Sequence, residues 1–170
     1  MSMYPIATSG NINNGTGSFT FSSIPQTYTH LQVRVILRCA TAINQLPLFV
    51  QFNGDGSNNY TEHSLQGNGS SASSGSQGLN TSIGWYSFAG SSTTSGVFGV
   101  GILDILDYAN TNKYKTARGL SGYDNNGDGD VNLTSGLWLS TSAINSITFS
   151  PYGGFNTNYS RVDLYGITTA

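Results

Sequence analysis

Between His30 and Arg38 the side chains alternate, with Leu31, Val33, Val35 and Leu37 on one side and His30, Gln32, Arg34 and Arg38 on the other. Successive Cβ atoms of an extended chain point to opposite faces, so this period of two defines a half-buried strand. No stretch of the 170 residues sustains a 3.6-residue period or carries a convincing helix cap and stop. The chain is thereby restricted to β architectures.

The same pattern recurs along the sequence. Residues 46–52 put Leu46, Leu48, Val50 and Phe52 inward and end at Asn53-Gly54-Asp55-Gly56, a turn from which residues 60–65 would run back. Further strands are expected at 18–22, 82–88, 97–108, 114–123, 131–139, 143–149 and 161–167. Ile102 to Leu106 is apolar on both faces except at Asp104, which predicts a central strand covered on both sides and hints at a subunit contact. Residues 67–78, GNGSSASSGSQG, read as an exposed, mobile loop. About ten short strands at a spacing of roughly 8 to 12 residues predict an all-β fold, an antiparallel β-sandwich of jelly-roll-like type. One domain spanning 1–170 suits the length, with 1–17 as an extended N-terminal arm that holds one short strand near 5–8.

Composition narrows the function. Charged residues make up 8% of the chain, against about 25% in a typical domain, while aromatics stay at 12%. Such a chain folds and presents an uncharged, polar surface. Six Lys and Arg and a net charge of -2 supply no basic stripe for a phosphate backbone, so nucleic acid is not an expected partner. The single cysteine, Cys39, follows an apolar run and reads as a buried thiol. No apolar run approaches the roughly 20 residues of a membrane span, and the first residues do not read as a secretory signal. Synthesis and folding in a cytoplasm, without a membrane partner, are the expectation.

Sites with chemistry are few. Asp124, Asn126, Asp128 and Asp130, with Gly129 and Val131, follow the opening positions of a calcium loop, in which alternate oxygen ligands converge on one cation. Ser135 stands where a bidentate Glu is required and both flanks read as strand, so the first reading is a Gly/Asn/Asp hairpin loop and Ca2+ the second. No resident metal or cofactor is expected. Gly119-Leu120-Ser121-Gly122 lacks the spacing of a nucleophile elbow. His30 and His63 have no paired-ligand spacing. Asp104 and Asp107, three apart on a strand, would face opposite ways and cannot serve as a glycosidase pair; Asp104 calls for a structural partner such as Arg34, Arg38 or Arg118. Asn-x-Ser/Thr at Asn59, Asn68, Asn80, Asn132 and Asn158 carries no weight in so Asn- and Ser-rich a chain. Tyr152, Phe155 and Tyr159 could stack on a sugar or plug the end of the sandwich. No catalytic residues are assigned, and the chain is not expected to be an enzyme.

Four segments carry a resemblance: residues 23–31 (SIPQTYTHL), 104–113 (DILDYANTNK), 115–122 (KTARGLSG) and 164–167 (LYGI). Together they resemble a loosely defined group of tailed-bacteriophage virion structural proteins, common in marine and freshwater phages including cyanophages. The resemblance implies a β-sandwich on the outside of a virion, as a capsid decoration or knob protein or part of a tail fibre, assembled as a homotrimer and in contact with other capsid or tail proteins. It implies no functional residues. The rival expectation is a receptor-binding adhesin that recognises host surface glycan through residues 67–78 and 152–159, and a glycan depolymerase stands third.

Overall fold

The alternating segment at 30–38 is a strand, His30–Leu37, with Leu31, Val33, Val35 and Leu37 all buried. The computed structural model describes residues 1–156 and 159–169. Among the described residues the strands are β1 (Ser2–Thr8), β2 (Phe19–Phe21), β3 (His30–Leu37), β4 (Gln45–Phe52), β5 (Tyr60–Gly67), β6 (Ala72–Asn80), β7 (Ile83–Ala89), β8 (Gly99–Ile105), β9 (Lys115–Asp124), β10 (Gly129–Trp138), β11 (Ile147–Pro151) and β12 (Arg161–Thr168), and there is no helix. They form two antiparallel sheets, a large one ordered β1-β12-β3-β8-β9-β10-β5-β6 and a small one ordered β2-β11-β4-β7. The fold is an all-β sandwich, as the alternation requires.

The core lies between the sheets. Leu31, Val33, Leu103, Ile105 and Val162 from the large sheet meet Phe21, Leu48, Val50, Ile147 and Phe149 from the small one. Phe52, Tyr60 and Trp138 cluster at one end, with Tyr60 and Trp138 stacked. Cys39 is fully buried at the opposite end, just past β3 and bridged to Phe155, and burial pushes its thiol up to about 12.

β7 crosses β8, β9, β10 and β5 on the inner face of the large sheet. Its large side chains sit on glycines. A Cβ on Gly101 would lie 2.3 Å from the Trp85 ring, one on Gly119 2.6 Å from Trp85 Nε1, and one on Gly136 2.6 Å from Ile83. The sheets can approach this closely only where the floor has no side chains.

Four expectations change. Residues 72–80 are not part of a mobile loop but an edge strand, β6, paired with β5. Backbone pairing with β5 holds it, joined by one hydrogen bond from Gln77 Nε2 to Tyr86 Oη, and nearly all its side chains are exposed. The turn at residues 53–56 does not make a hairpin. β4 and β5 belong to different sheets, and the connection carries the chain across the sandwich, where Asn59 accepts a hydrogen bond from Leu139 N–H. Ile102 and Leu106 are not covered: both lie on the outer face of the large sheet, where no second layer packs. Arg38, expected outward on β3, is buried beyond its end, and its guanidinium donates to the carbonyls of Ser91, Thr93, Thr94 and Val97. The N-terminal segment lies along the sandwich, with β1 paired to β12 and Ile12 bridged to Ser160.

Replacing Gly101 by Ala is expected to lower stability by about 1–3 kcal/mol through overpacking against Trp85. Gly17→Ala, where a Cβ meets nothing within 4 Å, is expected to leave it unchanged; urea denaturation of both variants reads the difference.

Candidate functional site

The acidic loop is built as a tight turn. Asn126 and Gly127 take positive φ of 62° and 92°, and Asn125 N–H donates to Asp128 C=O at 2.7 Å. This is the two-residue Asn-Gly connection that matches the twist of a hairpin. Its carboxylates turn to separate neighbours. Asp124 Oδ1 accepts from Gly127 N–H within the turn, Asp128 Oδ2 from Asn44 Nδ2, and Asp130 Oδ1 from Gln66 Nε2 at 2.8 Å. Asn125, not Asn126, reaches out, accepting from Thr94 N–H. Among the described residues, no three His, Cys, Asp or Glu side chains are grouped as a cation would need.

Asp104 is half-buried and accepts a hydrogen bond from Gln32 Nε2 at 2.9 Å. The expected ion pair does not form. Arg38 is held by loop carbonyls, Arg34 donates to Gln32 Oε1 and lies over the Tyr165 ring, and Arg118 sits directly across from Asp104 on β9 without closing on it. The only ion pairs among the described residues are Asp107 with Lys113 and Arg161 with Asp163, while His30 Nδ1 lies 3.4 Å from Asp107 Oδ1. Lys113 holds the Asp107 carboxyl below its usual range. His30 Nδ1 accepts from Asp107 N–H at 2.9 Å, a structural role at the turn after β8. His63 is exposed on β5. Ser121 of the failed elbow motif donates to Tyr86 C=O at 2.5 Å.

Of the three aromatics, Phe155 is buried in the core, while Tyr152 and Tyr159 are exposed. Tyr159 and the half-buried Phe98 line a groove of about 340 Å³ with Asn156 and Ser95. Asn158, of the last glycosylation-type triplet, lies outside the described residues.

Two buried charges escaped the sequence reading. Glu62, 3% exposed, faces no cation; its oxygens accept from Gly84 N–H and from Tyr86 Oη at 2.5 Å. β7 is the edge of the small sheet, so Glu62 and Ser121 together engage backbone groups on an otherwise open strand. Lys115 is fully buried and donates to the carbonyls of Lys113 and Thr141, its ammonium destabilised by desolvation and by Lys113. Glu62 was legible only as the inward position of a strand beginning at Tyr60.

The largest unpartnered feature is the outer face of the large sheet. Strand register places its side chains in rows that run across β3, β8, β9, β10 and β5. One row reads Ile36, Val100, Gly122, Val131 and Gly67; the next Arg34, Ile102, Leu120, Leu133 and Leu65; the third Gln32, Asp104, Arg118, Ser135 and His63. Seven aliphatic side chains in the first two rows are exposed, from 36% at Ile36 to 55% at Leu120. Where Gly122 leaves out a side chain, Val100, Ile102, Leu120, Tyr123 and Val131 line an apolar depression of about 610 Å³. Contiguous apolar faces are uncommon on the surface of folded soluble domains.

Comparisons with protein-family models, with curated proteins and with solved structures each found no match.

Two solution tests follow from these sites. Titrating Ca2+ into the chain is expected to give no heat and no shift in melting temperature, because the Asp124 to Asp130 carboxylates are turned to separate neighbours. Burial raises the Glu62 carboxyl above its ordinary value of 4.5, against the opposing hydrogen bonds of Tyr86 and Gly84. The folded chain therefore holds that proton more tightly than the unfolded one, and the stability it contributes below 4.5 is lost as pH rises through the raised value. Asp55, lowered to about 2 mainly by its hydrogen bond from Trp138, acts at the acid end, losing its contribution as pH falls through that value. Thermal melts across the pH range above 4.5 are expected to show a decline that Glu62→Gln removes.

Proposed function

We propose that this chain is a non-enzymatic structural protein of a tailed-bacteriophage virion, a capsid decoration or tail-associated protein that works through protein–protein contacts. The observation that carries the reading is the aliphatic outer face. A sheet face bearing seven exposed aliphatic side chains and no exposed aromatic among them suits burial against protein and offers no ring platform for a sugar. Low charge makes such contacts insensitive to salt, which suits a particle assembled in a host cytoplasm and then exposed outside it.

The strand order supports the jelly-roll part of the proposal. β2-β11-β4-β7 in one sheet, with β3 at one side and β5-β6 at the other side of the second, is the order two interleaved Greek keys produce when the β8-β9-β10 meander replaces a single strand. The non-enzymatic part draws support from the acidic groups: Glu62 engages a sheet edge, Asp55 holds Trp138, and Asp107 holds Lys113. Copies of the chain assemble as a homotrimer in this reading, with one surface left for the capsid or tail.

A second reading, an adhesin for host surface glycan, is favoured by one observation: the groove at the sandwich end where Tyr159 and Phe98 present rings beside Asn156. Aromatic faces flanked by amide groups are what sugar recognition uses.

Labelled imaging of intact particles is expected to place the chain on the virion exterior, and the purified protein is expected to rebind particles that lack it. Failure of both would remove the structural reading. A glycan array is expected to give no hits; a hit abolished by Tyr159→Ala would favour the adhesin.

A further inference from the structure

The geometry points to a second copy of this chain as the occupant of the aliphatic face, docked by rotation about an axis that runs along the strands in front of the β8–β9 boundary. This inference rests on the assembly reading above and specifies which surface performs it. Three observations select the occupant.

The first is size. Five strands at about 4.8 Å and three rows at about 7 Å span roughly 24 by 20 Å, a footprint of the order that one partner contributes to a stable interface, about 800 Å² of accessible surface. The second is the chemistry of the centre. Ile36, Val100, Ile102, Leu120, Val131 and Leu133 form an aliphatic surface resembling a core cut in half, the composition of an interface between permanently associated copies.

The third is the charge pattern. Asp104 and Arg118 are cross-strand neighbours in the row beside the aliphatic ones, yet no ion pair closes between them. Arg118 makes no hydrogen bond or ion pair among the described residues. A rotation axis parallel to the strands keeps every row at its own height. The β8 side of one copy then meets the β9 side of the next, so Ile102 faces Leu120, Ile36 faces Val131, and Asp104 faces Arg118. Aliphatic side chains meet aliphatic side chains except at Arg34, which lies over the Tyr165 ring and faces Leu133, and Asp104 and Arg118, which no ion pair joins within one copy, each meet their opposite. A partner bearing one sign of charge would leave either Asp104 or Arg118 opposed. Self-complementarity of this kind is the signature of contact between copies, and repetition about the same axis closes the proposed trimer.

Sedimentation equilibrium at tens of micromolar chain is expected to show an oligomer. Leu120→Lys and Leu133→Lys, both at exposed positions, are expected to give a monomer with the circular dichroism and melting temperature of a folded sandwich. Asp104→Arg is expected to weaken assembly at least tenfold, and the exchanged pair Asp104→Arg with Arg118→Asp to restore it. A monomeric wild-type chain, or an oligomer whose mass survives Leu120→Lys, overturns the inference. The virion reading is scored separately: a monomer that still binds particles defeats only this docking, and an oligomer that never binds them defeats only the virion role.

Discussion

Trp85 needs a floor without side chains, and the placement of the small sheet follows from that need. The indole rests across Gly101 and Gly119, with Ile83 on Gly136 beside it, so β7 is seated obliquely on three neighbouring strands. The indole N–H has no hydrogen-bond partner among the described residues, so shape holds this seat. Once β7 is fixed there, its outer edge is open. Glu62 and Ser121 rise from the large sheet to meet it, and a buried carboxylate with no cation nearby gains a reason for being where it is.

The same seating decides which surfaces remain uncovered. Four strands lie against the inner face of eight, and no layer is left for the other side. On a sheet face turned wholly to water, alternation on β8, β9 and β10 would put polar groups outward. Here the outward positions carry Val100, Ile102, Leu120, Val131 and Leu133, and polar residues return only one row further on, at Asp104 and Arg118. That placement, apolar in the middle and charged at the rim, is how proteins arrange surfaces that meet other proteins. The proposed role in a virion therefore grows from a missing layer, not from any reactive group.

Most strands were legible because burial on one face imposes a period of two. β3 is the clearest, and its four inward residues are the ones buried. β6 was illegible for the converse reason: a strand that buries nothing leaves no pattern, and its pairing resides in backbone groups that Ser and Gly do not advertise. Ile102 to Leu106 misled in another way, because an apolar residue on an uncovered outer face and one facing a second layer read alike. The turn at Asn53-Gly54 was seen, but whether a turn joins neighbours or crosses between sheets depends on contacts such as Asn59 with Leu139, far apart in sequence. Asp124 to Asp130 was rightly ambiguous on paper; only the directions of its carboxylates separate a turn from a cage. Glu62 and Lys115 lay hidden because a buried charge is defined by partners the chain brings from elsewhere.

Arg38 holds the segment 91–97 by four main-chain oxygens. A clamp of that kind is indifferent to identity. Ser92, Thr94 and Ser95 point into solvent and answer to no packing partner through this clamp, so substitutions there leave the loop's path intact. The segment borders the groove of Phe98 and Tyr159, which makes this end of the sandwich a place where surface chemistry can diversify while the scaffold stays the same.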